Sequence, residues 1–287
     1  MYKRQKFALT LGLLGALAVA VALGVAYYYL EPELPDIDNL REVRLQVPLK
    51  VYSRDNRLIA EFGEQRRNPL EYEQFPSRMI EAFLSAEDAN FFEHPGVDWR
   101  GLMRAGIQLA TTGEKRQGGS TITMQVARNF YLSRQKTYTR KLSEIFLALR
   151  IERELSKEEI LKLYLNKIYL GQRAYGVGAA ARVYYGKTVD ELDLAQTAMI
   201  AGLPKAPSQL NPVSNPGRAV ERRNYVLGRM LDLGYISSAE HQQAASQAVT
   251  ASRYAPDIEA EAPYIAEMVR AEMVGRHGQE AYTGGYS

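Results

Sequence analysis

The chain has 287 residues, 46% hydrophobic and 24% charged, with a net charge of +3. That length accommodates one large domain, or a smaller one with appendages, and so mild a charge does not point to nucleic acid as a partner. The absence of cysteine excludes disulfides, thiolate metal sites and cysteine nucleophiles, and three scattered histidines (His94, His241, His277) are too few for a histidine metal cage.

In chain order, Lys3, Arg4 and Lys6 precede an uncharged run from Phe7 to Leu30, 24 residues long. At a rise of ~1.5 Å per residue such a run crosses a ~30 Å hydrocarbon core. It exceeds the ~7–15 residues of a secretory apolar region, so it reads as an uncleaved anchor and not a signal peptide. The positive-inside bias puts residues 1–6 in the cytoplasm and everything after Leu30 outside, with Tyr27, Tyr28 and Tyr29 at the outer interface.

A polar, proline-punctuated stalk follows, then two alternating segments around Arg54-Asp55-Asn56, which predict a β-hairpin. From Pro76 the pattern is helical, with helices expected near 77–88, 99–111, 120–131, 138–154, 157–169, 174–184, 189–202, 218–233 and 238–250. Ser156 with Glu159, and Thr188 with Glu191, have the spacing of capping boxes. In 138–154, Leu142, Ile145, Phe146 and Leu149 are the expected buried stripe. In 99–111, Leu102, Met103, Ile107 and Leu109, flanked by Arg100 and Arg104, suit either a membrane interface or the domain core. The organisation expected is a cytoplasmic tail (1–6), an anchor (7–30), a stalk and hairpin (31–70) and a mainly α domain (71–250). Residues 251–287 read as a linker.

The chemistry concentrates in an acid-free run from Lys115 to Ser143 that holds seven bases, among them Arg128, Arg140 and Lys141, and is closed by Glu144. A basic surface with isolated carboxylates suits an enzyme that grips an anionic substrate and moves protons on it. Glu87 ends an amphipathic helix just before Phe91-Phe92, a setting that raises a carboxylate's proton affinity. The plainer alternative is a solvated glutamate, with Asp88 and His94 making local caps. In GGSTITMQVARN, Gly118-Gly119 and Ser120 or Thr121 open a helix whose exposed N–H groups favour phosphate. On that helix Thr121, Gln125, Arg128 and Asn129 share a face. Arg140 and Lys141 stand one turn before Glu144, either as an ordinary surface pair or as cations gripping a diphosphate.

Five segments occur in order: EDANFFEHPGVD, GGSTITMQVARN, RKLSEIFLALRIE, ILKLYLNKIYLGQRAYGVGAAARVYYGK and LDLAQTAMIAGLPKAPSQLNP. Together they resemble the motifs of the family 51 peptidoglycan glycosyltransferases, the N-terminal domains of class A penicillin-binding proteins. The resemblance covers about residues 40 to 250, and the stalk is similar to that of the 1A type in Gram-negative bacteria. It implies a lysozyme-like fold and polymerisation of lipid II into β-1,4 glycan at the outer face of the cytoplasmic membrane, releasing undecaprenyl diphosphate. By the same resemblance Glu87 is the base on the acceptor 4-hydroxyl and Glu144 assists at the donor diphosphate. Asp88, Phe91 and His94 shape the site, and Thr121, Gln125, Arg128, Asn129 and Arg140 contact the donor, with Lys141 beside them. The chain departs from the family pattern at Met124, where Gln is common, Arg128, where Lys is common, and Gln196, where Glu is usual.

The partners implied are lipid II, the growing glycan, the membrane and other cell-wall synthesis proteins, with moenomycin as an inhibitor. The sequence requires no cofactor and no protein-bound metal, and leaves room for a divalent cation at the diphosphate. In that family residues 251–287 would lead to a transpeptidase domain, which this sequence does not contain. Two rival functions stay open on the residues alone: a lysozyme-like glycan-cleaving enzyme, and a non-catalytic cell-wall scaffold. The first has no use for the basic run, and the second leaves the settings of Glu87 and Glu144 unexplained.

Overall fold

A computed structural model describes residues 14–15, 17–18, 21–22, 24–37, 40, 47–63, 66–112, 119–132, 138–255 and 258–286 and, for residues 33, 105–110, 112 and 138, the backbone alone. Residues 7–13, 16, 19–20 and 23 of the apolar run 7–30 lie outside these residues, and the anchor reading falls partly on them. Residues 24–30 are helical, with Tyr28 and Tyr29 exposed and the Tyr27 ring against Phe146 at 5.2 Å. No helix among the described residues is long and apolar enough to cross a membrane.

The expected hairpin is present. Strands β1 (Leu49–Tyr52) and β2 (Leu58–Phe62) run antiparallel, with Leu49 opposite Phe62 and Val51 opposite Ala60. Asn56 turns the chain at φ +65°, a conformation its short side chain tolerates. A short strand β3 (Arg66–Arg67) later pairs in parallel with β4 (Ala174–Tyr175).

The rest is mainly helical. Before β4 come α1 (Ser77–Glu87), α2 (Trp99–Thr112), α3 (Ile122–Tyr131), α4 (Tyr138–Glu154) and α5 (Lys157–Lys167). After it come α6 (Val177–Tyr185), α7 (Leu194–Gly202), α8 (Pro216–Asp232), α9 (Ser238–Ser246) and α10 (Pro263–His277). Helix α3 packs on α4 and α5, while α1 packs on α7 and α8. One core joins Phe83 of α1, Ile122 and Val126 of α3, Leu147 and Ile151 of α4, Tyr164 of α5, Ala198 of α7 and Val226 of α8. Each large side chain buried there contributes roughly 1.5–3 kcal/mol. This core anchors both sides of the candidate site.

Several boundaries move for identifiable reasons. Helix α3 starts at Ile122 because Thr121 is its N-cap, accepting from the Met124 N–H at 3.2 Å. Ser156 and Glu159 form the expected capping box on α5. Thr188 and Glu191 bond as expected but hold only a turn; the box that opens α7 is Asp193 with Gln196. Gln196 therefore serves a cap, where a neutral amide suffices. Residues 174–175 are strand and not helix, since Gly176 at φ +83° breaks the chain and its backbone lies against Asn166, leaving no space for a side chain.

The buried stripe of α4 is rotated from the one expected. Glu144, Leu147, Ala148 and Ile151 face inward together with the expected Phe146, while Leu142, Ile145 and Leu149 are half-buried. An apolar-only reading could not place a carboxylate in that stripe. On α2, Leu102 packs inward beside Val97, Met124 and Ala148, whereas Met103 and Trp99 are exposed; the side chains of Ile107 and Leu109 lie outside the described residues.

Residues 263–277, within the segment read as a linker, form a helix. Its apolar residues are scattered around the axis, with Tyr264, Ile265 and Met268 exposed and Ala266 buried, so no periodic stripe announces it. Ala266 completes a small separate cluster with Leu49, Val51 and Ile59, so α10 covers the hairpin.

Candidate active site

The C-terminus of α1 delivers Glu87 into an open cleft of about 410 Å³. One wall carries Leu102 of α2, Ser120 just before α3, and Gln125 and Arg128 of α3; the other carries Lys205, Arg222, Tyr225 and Arg229, from the turn after α7 and from α8. The Glu87 side chain is 14% exposed. Its Oε2 accepts from the Gln125 amide at 3.0 Å, and its Oε1 lies 3.6 Å from the Arg222 guanidinium. Burial raises its proton affinity above that of an ordinary carboxylate; Gln125, Arg222 and Arg128 oppose the shift and Asp88 adds to it. The direction matches the sequence expectation, but the side chains that touch the carboxylate are Gln125 and Arg222, while Phe91 turns its ring toward Phe92 and His94.

Asp88 and His94 are not the local caps of the plainer reading: Asp88 reaches the start of α3 and His94 pairs with it. Asp88 accepts from the Ile122 N–H at 2.9 Å, and His94 Nε2 lies 3.0 and 3.1 Å from its two carboxylate oxygens. Both side chains are buried. Thr121 Oγ1 donates to the Gly96 carbonyl at 2.5 Å while capping α3, so its hydroxyl is engaged within the fold. Phe91 is fully buried, with the Lys157 ammonium 4.4 Å from its ring centre. Lys157 also donates to the His94 carbonyl at 2.7 Å and to Glu152 at 2.8 Å. Gly96, at φ +92°, presses so close to α4 that a β-carbon would stand 2.9 Å from the Ala148 carbonyl oxygen. These residues fix the loop 88–98 that follows Glu87.

A second charged group stands on α4. Glu144 is 1% exposed; its Oε2 accepts from Lys141 at 3.0 Å, and its Oε1 lies 3.4 Å from Arg140. Lys141 also donates to the Ser120 hydroxyl at 2.8 Å, and Ser120 lines the cleft. Arg128 Nη2 reaches Gln125 Oε1 at 3.5 Å. Asn129, half-buried on α3, does not line the cleft. The expected residues thus fall into three sets: Glu87, Gln125 and Arg128 in the cleft; Asp88, Phe91, His94 and Thr121 in its support; Arg140, Lys141 and Glu144 at its edge through Ser120.

Sequence reasoning missed the opposite wall. Arg222, Tyr225 and Arg229 follow one another at i, i+3 and i+7 on α8, the spacing of a single helix face. That periodicity was available, but nothing in it tells a cleft face from a solvated one. The arrangement as a whole can hold an anion between two basic walls and accept a proton from a hydroxyl at Glu87.

The transglycosylase family model matches residues 55–231, a span that includes both walls and both charged groups. The chain belongs to the transglycosylase family, and glycosyl transfer is the chemistry of that domain. It is 57% identical over 268 residues to penicillin-binding protein 1A of Pseudomonas aeruginosa, a match covering 93% of this chain and 33% of that protein. It is 53% identical over 284 residues to penicillin-binding protein 1A of Escherichia coli, covering 99% of this chain and 33% of the relative. The chain therefore spans about a third of the length of these relatives. A 2.6 Å crystal structure of penicillin-binding protein 1A from Haemophilus influenzae aligns over 85% of this chain and 26% of that one, at 37% identity and a TM-score of 0.48.

Proposed function

We propose that this chain is a membrane-anchored peptidoglycan glycosyltransferase that polymerises lipid II into β-1,4 glycan and releases undecaprenyl diphosphate. The observation that carries the reading is Glu87, a buried carboxylate of raised proton affinity placed between two basic walls of an open cleft. Glu87 takes the proton from the acceptor 4-hydroxyl as that oxygen attacks the donor's anomeric carbon. Arg128, Arg140 and Lys141 hold the donor diphosphate, with Glu144 orienting the last two. Asp88, Phe91, His94 and Thr121 keep the loop and helix start in place around the substrate. A divalent cation at the diphosphate is compatible with this reading.

The same proposal gives the helical body a lysozyme-like architecture and makes residues 7–30 a single inner-membrane anchor, with the N-terminus inside and the domain periplasmic. The exposed apolar side chains Leu14, Leu17, Val21 and Val25 support a lipid-facing segment. Residues 31–70 are then stalk and hairpin, 71–250 the catalytic domain, and 251–287 a helix-bearing linker toward a transpeptidase. Other cell-wall synthesis proteins and moenomycin are its further partners.

Incubation of the purified chain with labelled lipid II tests the reading. Long glycan is expected; short fragments released from preformed glycan would mark a cleaving enzyme, and no turnover a scaffold.

A further inference from the structure

We propose that Arg222 is a positioning residue for Glu87: from α8 it holds the carboxylate ionised and leaves Oε1 as the oxygen that takes the acceptor's proton. This rests on the reading of Glu87 as the base. Oε2 is already hydrogen-bonded to Gln125 at 3.0 Å, while the Arg222 guanidinium faces Oε1 at 3.6 Å, an ion pair beyond hydrogen-bond reach. Oε1 therefore feels a full positive charge and keeps its lone pairs for an incoming hydroxyl.

Arg222 is itself held. Its side chain is 10% exposed, its Nε donates to the Gly202 carbonyl at 3.4 Å, and its guanidinium lies 4.5 Å from the centre of the Tyr225 ring. Gly202 gives it room, since a β-carbon there would stand 2.9 Å from Arg222 Cγ. A guanidinium so clamped acts on Glu87 and does not swing out with a substrate.

The groups that face Glu87 come from every element around it. They are Gln125 and Arg128 on α3, Asp88 after α1, the buried Tyr164 hydroxyl on α5 and Arg222 on α8. Burial holds the Tyr164 proton well above its ordinary range, so that hydroxyl contributes no charge. Arg128 bonds to the Gln125 carbonyl, which leaves Arg222, among the described residues, as the cation in ion-pair range of the carboxylate.

In the transfer step, the acceptor O–H bond breaks and its proton moves to Glu87 Oε1. The oxygen's electron pair forms the bond to the donor's anomeric carbon, and the lipid diphosphate leaves with the electrons of the old C–O bond. A base serves only while deprotonated. Removing Arg222 leaves burial less opposed, Glu87 holds its proton to higher pH, and the acid limb of the rate profile moves up.

The test compares wild type, Arg222→Gln and Arg222→Lys in two measurements. One is the pH profile of kcat on lipid II; the other is the carboxyl-carbon NMR titration of Glu87 in the full chain, assigned by its disappearance in Glu87→Gln. Both midpoints should rise in Arg222→Gln, with about tenfold loss of rate below the new midpoint per pH unit of displacement, and recovery above it. KM should stay within about twofold, and Arg222→Lys should return the limb toward wild type. Arg222→Met keeps the length of the side chain without its charge and should move the midpoint in the same direction, which supplies the test should Arg222→Gln not fold. An unmoved midpoint, or a raised KM with an unmoved limb, overturns the proposal. The NMR midpoint reads Arg222 even where no glycan is made, so failure here and failure of the polymerase reading are distinguishable.

Discussion

The ammonium of Lys141 meets the hydroxyl of Ser120 at 2.8 Å while also holding Glu144 at 3.0 Å. Helix α4 is thereby fastened to the cleft rim one residue before the cap of α3. The buried Glu144 is the fixed point and the two cations are what it presents outward. A carboxylate 1% exposed would be strongly destabilising without such partners, and each cation is aimed by sharing it.

Arg140 tests that arrangement. Arg140→Ala removes one of the charges proposed to grip a diphosphate, a charge-assisted contact of ~1.5–3 kcal/mol, or roughly 10- to 150-fold in affinity. Moenomycin binding, measured by titration, should weaken by that factor, and the melting temperature should fall as well, because the buried Glu144 is left with Lys141. Equal affinity in the two proteins would return Arg140 and Glu144 to an ordinary intrahelical pair.

Glu87→Gln keeps the shape and the bond to Gln125 but cannot accept a proton. Glycan synthesis should fall by at least ~10²-fold, the usual share of a general base. The variant should also be the more stable protein above acid pH. Folding raises this group's proton affinity, so its contribution is fully present below its ordinary pKa of 4.5 and lost as pH rises through the folded value. Melting curves of the two proteins should coincide at low pH and separate in favour of the Glu87→Gln variant as pH rises; parallel curves would contradict the burial argument.

Thr121 separates a cap from a ligand. Thr121→Ala removes the N-cap of α3 and the donor to Gly96, at a cost of ~0.5–2 kcal/mol for the cap alone. Thr121→Ser should restore most of that stability and most of the activity, because the hydroxyl is what both bonds use. Denaturant midpoints together with lipid II turnover give the answer. Normal stability with lost turnover in Thr121→Ala would instead place the hydroxyl on substrate.

Gly96→Ala is expected to destabilise by roughly 1–3 kcal/mol, since it forces a side chain onto a left-handed backbone pressed against α4. Turnover should drop as well, because the displaced loop carries Asp88 and His94. A urea midpoint at the wild-type value would show that the loop gives way freely.

How far the sequence foretold the site varies residue by residue. The hairpin and the α5 capping box were legible because their signals are local: Asn56 in the turn, Ser156 three residues from Glu159. Glu87, Gln125 and Arg128 were singled out because a carboxylate near aromatics and a run without acids are visible in one dimension, whereas Thr121 serves the fold and Asn129 stands off the cleft. The inward turn of Glu144 was not, since binary patterning assigns a carboxylate to the solvent side; its cations make burial tolerable only in three dimensions. Arg222 escaped because its partner lies far away in the chain, and the helix carrying it has an apolar face and a charged face like many others. Helix α10 escaped for the opposite reason, having no clear face to read.

The cluster beneath the hairpin also sets an order of events. Leu49, Val51 and Ile59 gain their cover from Ala266 and its neighbours, and the Leu58 N–H finds its acceptor in Glu259, 201 residues onward. Closing so long a loop costs entropy that its contacts offset only at the end. Contacts between α3, α4 and α5 span short stretches of chain and carry a smaller closure cost. The hairpin can gain this cover only after residues 259–266 exist, so during synthesis its apolar face stays open until nearly the whole of this chain has been made.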